Sequence, residues 1–227
     1  MLLHADDWPI LFLSLQVALV STIAILPVGV MLAWVMSRVQ RPWRVALESV
    51  LTLPLVLPPT AVGILLLVLL GKNGPVGRTL DALGIEIVFT WRAAALASAV
   101  MSLPLLVRSA RTAFEEVDPR LMGVARTLGD GPLRAFWRVA LPLSWRGVFA
   151  GALLAFCRAL GEFGATILIA GNIPGKTQTL ALAIFQRTQS GRDQDAMRLV
   201  AVTSAIALVA VYVTQFWERR RESTLAS

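Results

Sequence analysis

Apolar residues in this chain run in long blocks parted by short polar intervals rather than recurring one-sidedly, as they would on a soluble helix. The blocks cover about residues 8–36, 49–70, 91–107, 147–171 and 197–217. Each approaches or exceeds the roughly 20 apolar residues that cross a hydrocarbon core. Only helices or closed barrels satisfy every backbone group in lipid, and blocks this long are helical. The pattern predicts an all-α polytopic membrane protein with five transmembrane helices, forming one membrane domain over residues 1–227. Asp6 and Asp7, not a basic stretch, precede the first block, so it reads as a retained span and not as a cleaved leader.

Two blocks carry features that a plain span would lack. The second holds Pro54 and the pair Pro58-Pro59, followed by Thr60. Prolines inside a span free backbone groups that a neighbour or a cavity must satisfy, so the pair reads either as a kink or as a break lining a pathway. The fourth holds Arg158 and Glu162 near its middle, spaced i, i+4 and so on one face, with Gly161 and Gly164 beside them. A charge at the bilayer centre costs about 2.5–3.5 kcal/mol on insertion scales, and such groups face protein or water. The two readings are an ion pair that fixes helix packing and a lining for an anion pathway with Glu162 at a gate.

The longest polar interval, residues 108–146, has helical patterning of its own between 117 and 146. Asp118 is placed to cap a helix that accepts Pro119 in its first turn. Leu121, Ala125 and Leu128 recur on one face beside Met122, and Gly129 supplies a left-handed stop. A second start follows at Gly131-Pro132, and Pro142 is expected to close the run before the fourth block. An amphipathic helix in the loop of a membrane protein presents apolar surface to water, and this one is expected to dock on a partner.

Composition adds little to class and more to orientation. The chain is 56% hydrophobic, with a mean hydropathy of +0.70 and a formal net charge of +7. In a soluble protein that charge would point to nucleic acid; here the arginines flank spans, and no nucleic-acid partner is expected. With the N-terminus outside, the inward segments hold Arg38, Arg41, Arg44, the seven arginines between 108 and 146, and Arg219–Arg221. That makes thirteen cations inside against seven outside, with Arg158 in a span. The bias places the C-terminus and the 108–146 interval in the cytoplasm. Trp8, Trp34, Trp91 and Trp217 fall near span ends, where interfacial anchors belong.

Candidate chemistry is sparse. One His and one Cys, Cys157, cannot build a metal site or a disulfide framework. Residues 170–177 (AGNIPGKT) satisfy a relaxed phosphate-loop pattern, but a span precedes them and no strand does, so nucleotide binding is not expected there. Residues 180–185 are apolar enough to touch the membrane surface. No nucleophile–base pair is apparent and the chain is not expected to be an enzyme.

The spacing Gly123-Val124-Ala125, three residues, Gly129, nine residues, Val139-Ala140-Leu141-Pro142 resembles the cytoplasmic signature of permease subunits of ATP-binding-cassette (ABC) importers. That family writes Glu-Ala-Ala, three residues, Gly, nine residues, Ile-x-Leu-Pro; here Gly123 stands in place of the glutamate and Val124 in place of a small residue. Residues 53–63 (LPLVLPPTAVG), 90–108 (TWRAAALASAVMSLPLLVR) and 157–179 (CRALGEFGATILIAGNIPGKTQT) are similar to the molybdate/sulfate permease family in particular. The resemblance implies a type I importer fold and import of molybdate or tungstate, with sulfate or thiosulfate as the alternative cargo. A channel or secondary transporter working without an ATPase is the alternative of another class. It further implies a homodimer in the prokaryotic inner membrane with two cytoplasmic ATPases, which bind ATP and magnesium while this chain needs no cofactor, and an extracytoplasmic oxyanion-binding protein. On that reading Leu121, Met122, Gly123, Val124, Ala125, Leu128, Gly129, Leu141 and Pro142 form the ATPase-coupling surface. Pro58, Pro59, Thr60, Arg158, Gly161 and Glu162 form the pathway and gate.

Overall fold

The computed structural model describes residues 4–38 and 42–225, with side chains as far as Val213 except at Pro42. Arg41, Trp217 and Arg219–Arg221, used above for orientation and anchoring, lie outside the residues whose side chains are described. All regular structure among the described residues is helical. It comprises α1 (Asp7–Arg38), α2 (Pro42–Val56), α3 (Pro59–Leu70), α4 (Pro75–Ala82), α5 (Trp91–Glu115), α6 (Pro119–Thr127), α7 (Pro132–Ala135), α8 (Leu141–Leu160), α9 (Gly164–Ile169), α10 (Leu180–Gln189) and α11 (Asp193–Leu225). Four helical stretches are long and apolar enough to cross a membrane, and the bent pair α2–α3 makes a fifth.

The second block is a break and not a kink. Its path bends by 108° between the two halves. Each proline drives the residue before it out of the helical region, so Leu57 and Pro58 leave the helix together, and Pro59 opens α3 where no N–H is needed.

The fourth block differs from expectation at both ends. Pro142 does not close the preceding run; it sits in the first turn of α8, and helix is continuous from Pro132 to Leu160. Pro142 has no N–H to offer the Arg138 carbonyl and its ring crowds that group. The chain accommodates this with a five-residue π-turn, Phe136–Ala140, in which the Leu141 N–H reaches back to the Phe136 carbonyl. At the other end the helix stops at Leu160, not Gly171, and α9 starts after a three-residue break. The interval 108–146 is correspondingly less of a loop than its polarity implies. Helix α5 runs on to Glu115, and α8 already includes Leu141–Arg146.

Small residues bring the spans together. A Cβ on Gly147 would lie 2.3 Å from the Ala113 Cβ, and one on Gly151 would lie 2.9 Å from the Ser109 Cβ. This small-xxx-small stripe seats α8 on α5, and the Ser109 hydroxyl donates to the Gly147 carbonyl across it (3.0 Å). At one end of the bundle Val30, Ala33 and Met36 of α1 pack with Val107, Ala110 and Phe114 of α5 and with the 122–140 segment. At the other end Ile10 and Ala18 of α1 pack with Ala159 and Leu160 of α8 and with α10 and α11. Leu180, Leu182 and Ala183 are buried there, so that face of the 180–185 stretch packs on protein, while Phe185 at its end stays 43% exposed.

Trp34 belongs to the first of these clusters. Its ring meets Phe114 edge-on at 5.4 Å and Phe136 at 5.1 Å, and the Arg38 guanidinium stacks on it at 4.3 Å. It is a packing residue at a span end, whereas Trp8 is well exposed, as an interfacial anchor would be.

Candidate functional site

Two regions carry the residues that the sequence singles out. The first is α6. The Asp118 carboxylate accepts the Arg120 N–H (2.8 Å) and Pro119 opens the helix. At the other end the Asp130 N–H bonds the Ala125 carbonyl and the Gly129 N–H bonds that of Arg126, with Gly129 at φ +86°. That pair of bonds is a Schellman stop, which an L-residue other than glycine would strain.

The helix has two apolar faces, not one. Met122 and Ala125 are buried in the cluster formed by Met36, Phe114 and Phe136. Leu121, Val124 and Leu128 point away, Leu128 with 80% of its surface exposed. Ala125 therefore seats the helix, and the expectation that it shares an outward face with Leu121 and Leu128 is corrected. A helix resting on a core must spend one of its apolar stripes on that core. Gly123 is open: a Cβ placed there would have no neighbouring atom within 4 Å. Leu141 is half-buried and Pro142 exposed. The outward apolar surface continues through Leu133 and Trp137, both more than 60% exposed, which the sequence reading did not single out. Their signal was present, since they continue the outward stripe at helical spacing past the glycine stop. Asp130 holds this second turn in place by ion pairs to Arg138 (3.2 Å) and Arg134 (3.9 Å).

Arginines counted only for orientation also brace this end. Arg111 bridges Glu48 of α2 (2.8 Å) and Glu115 (2.9 Å), and Arg44 reaches Glu115 from α2 (2.8 Å). The broken span is thereby tied to the end of α5.

The second region is a cavity of about 320 Å³ lined by Pro59, Thr60, Arg158, Gly161, Glu162, Phe163 and Gly164. The helix break at Leu57–Pro58 and the break after α8 meet here, so five of the six residues expected to line a pathway line this one cavity. Pro58 shapes the turn without lining the space. Close approach of the two breaks requires glycine. A Cβ on Gly164 would lie 2.7 Å from the Pro59 Cβ, and one on Gly63 would lie 2.8 Å from the Ala165 carbonyl oxygen.

Arg158 and Glu162 do not share one continuous helix. Arg158 lies in the last turn of α8, and Glu162 follows the Gly161 cap. A cation there interacts favourably with the helix C-terminus. The Glu162 side chain is 1% exposed and that of Arg158 28%, with Nη1 and Oε2 2.7 Å apart. Glu162 Oε1 accepts the Ala165 N–H (2.8 Å) at the start of α9. Oε2 has the ion pair but no aligned hydrogen bond.

Two further features escaped the sequence reading. Asp7 and Arg187 form a buried ion pair (2.5 Å), Asp7 fully and Arg187 nine-tenths enclosed, that ties the start of α1 to α10. Charges 180 residues apart give no local signal. A larger cavity of about 960 Å³ lies at the same end of the bundle, walled in part by Phe12, Leu67, Lys72, Glu86, Phe89, Trp91 and Lys176. Lys176 thus belongs to a wide surface cleft; the residues before its loop form α9, with no strand to build a phosphate cradle.

Residues 25–222 match the profile of the family described as the binding-protein-dependent transport system inner membrane component. The chain belongs to that family. Within it, the chain is 44% identical to the molybdenum transport system permease protein ModB of Escherichia coli K12 over 221 residues, 96% of each chain. It is 40% identical to the putative molybdenum transport system permease protein YvgM of Bacillus subtilis over 204 residues, 89% of this chain and 90% of that one. The sulfate transport system permease protein CysT of Salmonella typhimurium is 37% identical over 184 residues, 81% of this chain and 66% of that one. Among solved structures, a bacterial ABC transporter that imports alginate superposes with a TM-score of 0.73 at 17% identity, covering 96% of this chain and 80% of that one. The MetNI methionine ABC transporter in an inward-facing form gives 0.65 at 17% identity, covering 94% and 93%. The fold is that of an ABC importer permease.

Proposed function

We propose that this chain is the membrane-spanning permease subunit of an ABC importer that takes up molybdate, with ATP hydrolysed by a separate subunit. The observation that carries the cargo is the end-to-end likeness to molybdenum permeases, 44% identical over 96% of both chains. Sulfate is the second reading, favoured by the shorter match to a sulfate permease.

Two copies of the chain, two cytoplasmic ATPases and an extracytoplasmic binding protein make up the working assembly on this reading. The single membrane domain, 1–227, has its N-terminus outside and its C-terminus in the cytoplasm, in line with the arginine bias. The α6 end of the bundle then faces the cytoplasm, and Leu121, Val124, Leu128, Leu133 and Trp137 receive the ATPase. Met122 and Ala125 pass its movement to α1, α5 and α8 through the shared core. ATP-driven closure of the ATPases pulls on α6, and product release resets it. The Arg158 cavity lies where α8 ends, beside the cluster that joins Ile10 and Ala18 to Ala159 and Leu160 and so nearer the outer end than α6 is, and it forms part of the cargo path. Arg158 supplies the weak attraction an anion needs there. A deep well would trap the ion it should pass, so tight binding belongs to the binding protein.

The experiment is uptake into vesicles holding the permease with its ATPase, with binding protein supplied outside. Uptake that requires ATP, and co-purification of the three components, is the expected result. Uptake by the permease alone would turn the assignment to a channel or secondary transporter.

A further inference from the structure

Glu162 occupies Arg158 in the manner of a bound anion. Its carboxylate lies within ion-pair distance of Nη1 at 2.7 Å, yet Oε2 has no aligned hydrogen bond. The carboxylate is also anchored independently of Arg158, because Oε1 is held by the Ala165 amide. Withdrawal of Oε2 from Arg158 would therefore leave the carboxylate with a partner. The Arg158 guanidinium, 28% exposed, opens onto a cavity of about 320 Å³, ample beside the roughly 30 Å³ share of one liquid water. Around the pair, a Cβ on Gly161 would come no closer than 3.8 Å to any neighbour, the Cys157 carbonyl. A purely structural pair would have both partners enclosed, as Asp7 and Arg187 are. This one has an enclosed anion and a cation that faces open space.

We propose that Glu162 is a tethered competitor for the anion site at Arg158: it neutralises the guanidinium when no cargo is present and yields only to a doubly charged oxyanion. Displacing a fixed carboxylate favours an incoming dianion over chloride or another monoanion, because the dianion's attraction for Arg158 is about twice as large at equal distance. The pair therefore keeps the permease cavity both weakly binding and selective for charge. This rests on the reading of the cavity as part of the cargo path.

The test measures equilibrium binding of radiolabelled tungstate to the purified permease–ATPase complex without binding protein, beside uptake by the same variants in vesicles. If the carboxylate leaves Arg158 free about one-tenth of the time, its removal in Glu162→Gln tightens tungstate binding about tenfold. Glu162→Asp retains a carboxylate to cap α9 but draws it back by one methylene. It gives an intermediate gain, and decides the matter if the Gln variant does not assemble. Arg158→Gln, alone or with Glu162→Gln, shows no gain. Chloride competes with tungstate in Glu162→Gln and not in the parent. No tightening in whichever Glu162 variants assemble, or the same tightening without Arg158, overturns the proposal. Uptake separates the two ideas. Parent-rate uptake by Arg158→Gln removes the cavity from the path, whereas slowed uptake with no gain at Glu162 removes the competitor alone.

Discussion

Single atoms decide how the two chain breaks meet. A methyl on Gly164 would press on the Pro59 Cβ at 2.7 Å and the Thr60 amide nitrogen at 3.3 Å, neither of which can swing aside. We predict that Gly164→Ala lowers stability by about 1–3 kcal/mol, the usual size of overpacking, seen as a lower melting temperature of the detergent-purified protein. Gly123 should behave oppositely. It lies in an exposed helix with open space around it, so Gly123→Ala should stabilise by about 1 kcal/mol from helix propensity alone. Gly123→Glu, which restores the family's acid, is expected to leave assembly intact, as judged by ATPase co-purification. Loss of assembly would mean that the partner surface has changed with the glycine.

At the scale of elements, α6 divides its work between two faces, and two substitutions separate them. Ala125→Glu buries a charge among Met36, Phe114 and Phe136, at a cost of several kcal/mol, and should reduce the amount of folded protein in the membrane. Leu128→Glu changes a side chain that is 80% exposed; it should leave the fold intact and abolish retention of the ATPase. Equal effects of the two on folding would contradict the division. The helix itself was legible in sequence, because Asp118, Pro119 and Gly129 are local signals for local hydrogen bonds. Which stripe it buries was not legible, since that depends on the aromatic cluster drawn from α1, α5 and the π-turn. The fourth span shows the same limit. Hydropathy averages over a window and cannot register that Gly161 ends a helix at Leu160, so the Arg158–Glu162 pair was read as lying within one helix and not across its end. By contrast the position of the Pro58-Pro59 interruption, a covalent restriction, was readable down to its residues, although only the 108° bend decides between a kink and a break.

At the scale of the molecule, a long-range ion pair holds the end of the bundle opposite α6, and the proposed orientation rests on the arginine bias. Asp7→Asn leaves Arg187 enclosed without its anion, and we predict a loss of about 3–5 kcal/mol, measured as a fall in melting temperature. Nothing near Asp7 in sequence signals that pairing. Direction is tested by labelling single cysteines at the exposed positions Gly131 and Gly191. The first should react only from the cytoplasmic side and the second only from outside; the reverse would detach α6 from any cytoplasmic ATPase.

The central claim is a cargo carried by an ATP-driven permease, and competition during uptake tests it most directly. Vesicles reconstituted with permease and ATPase are given binding protein and radiolabelled molybdate, with unlabelled molybdate, tungstate or sulfate in excess. The account predicts ATP-dependent uptake that molybdate and tungstate block and sulfate scarcely affects. Uptake that sulfate blocks as strongly as molybdate, or that proceeds without ATP, would contradict it.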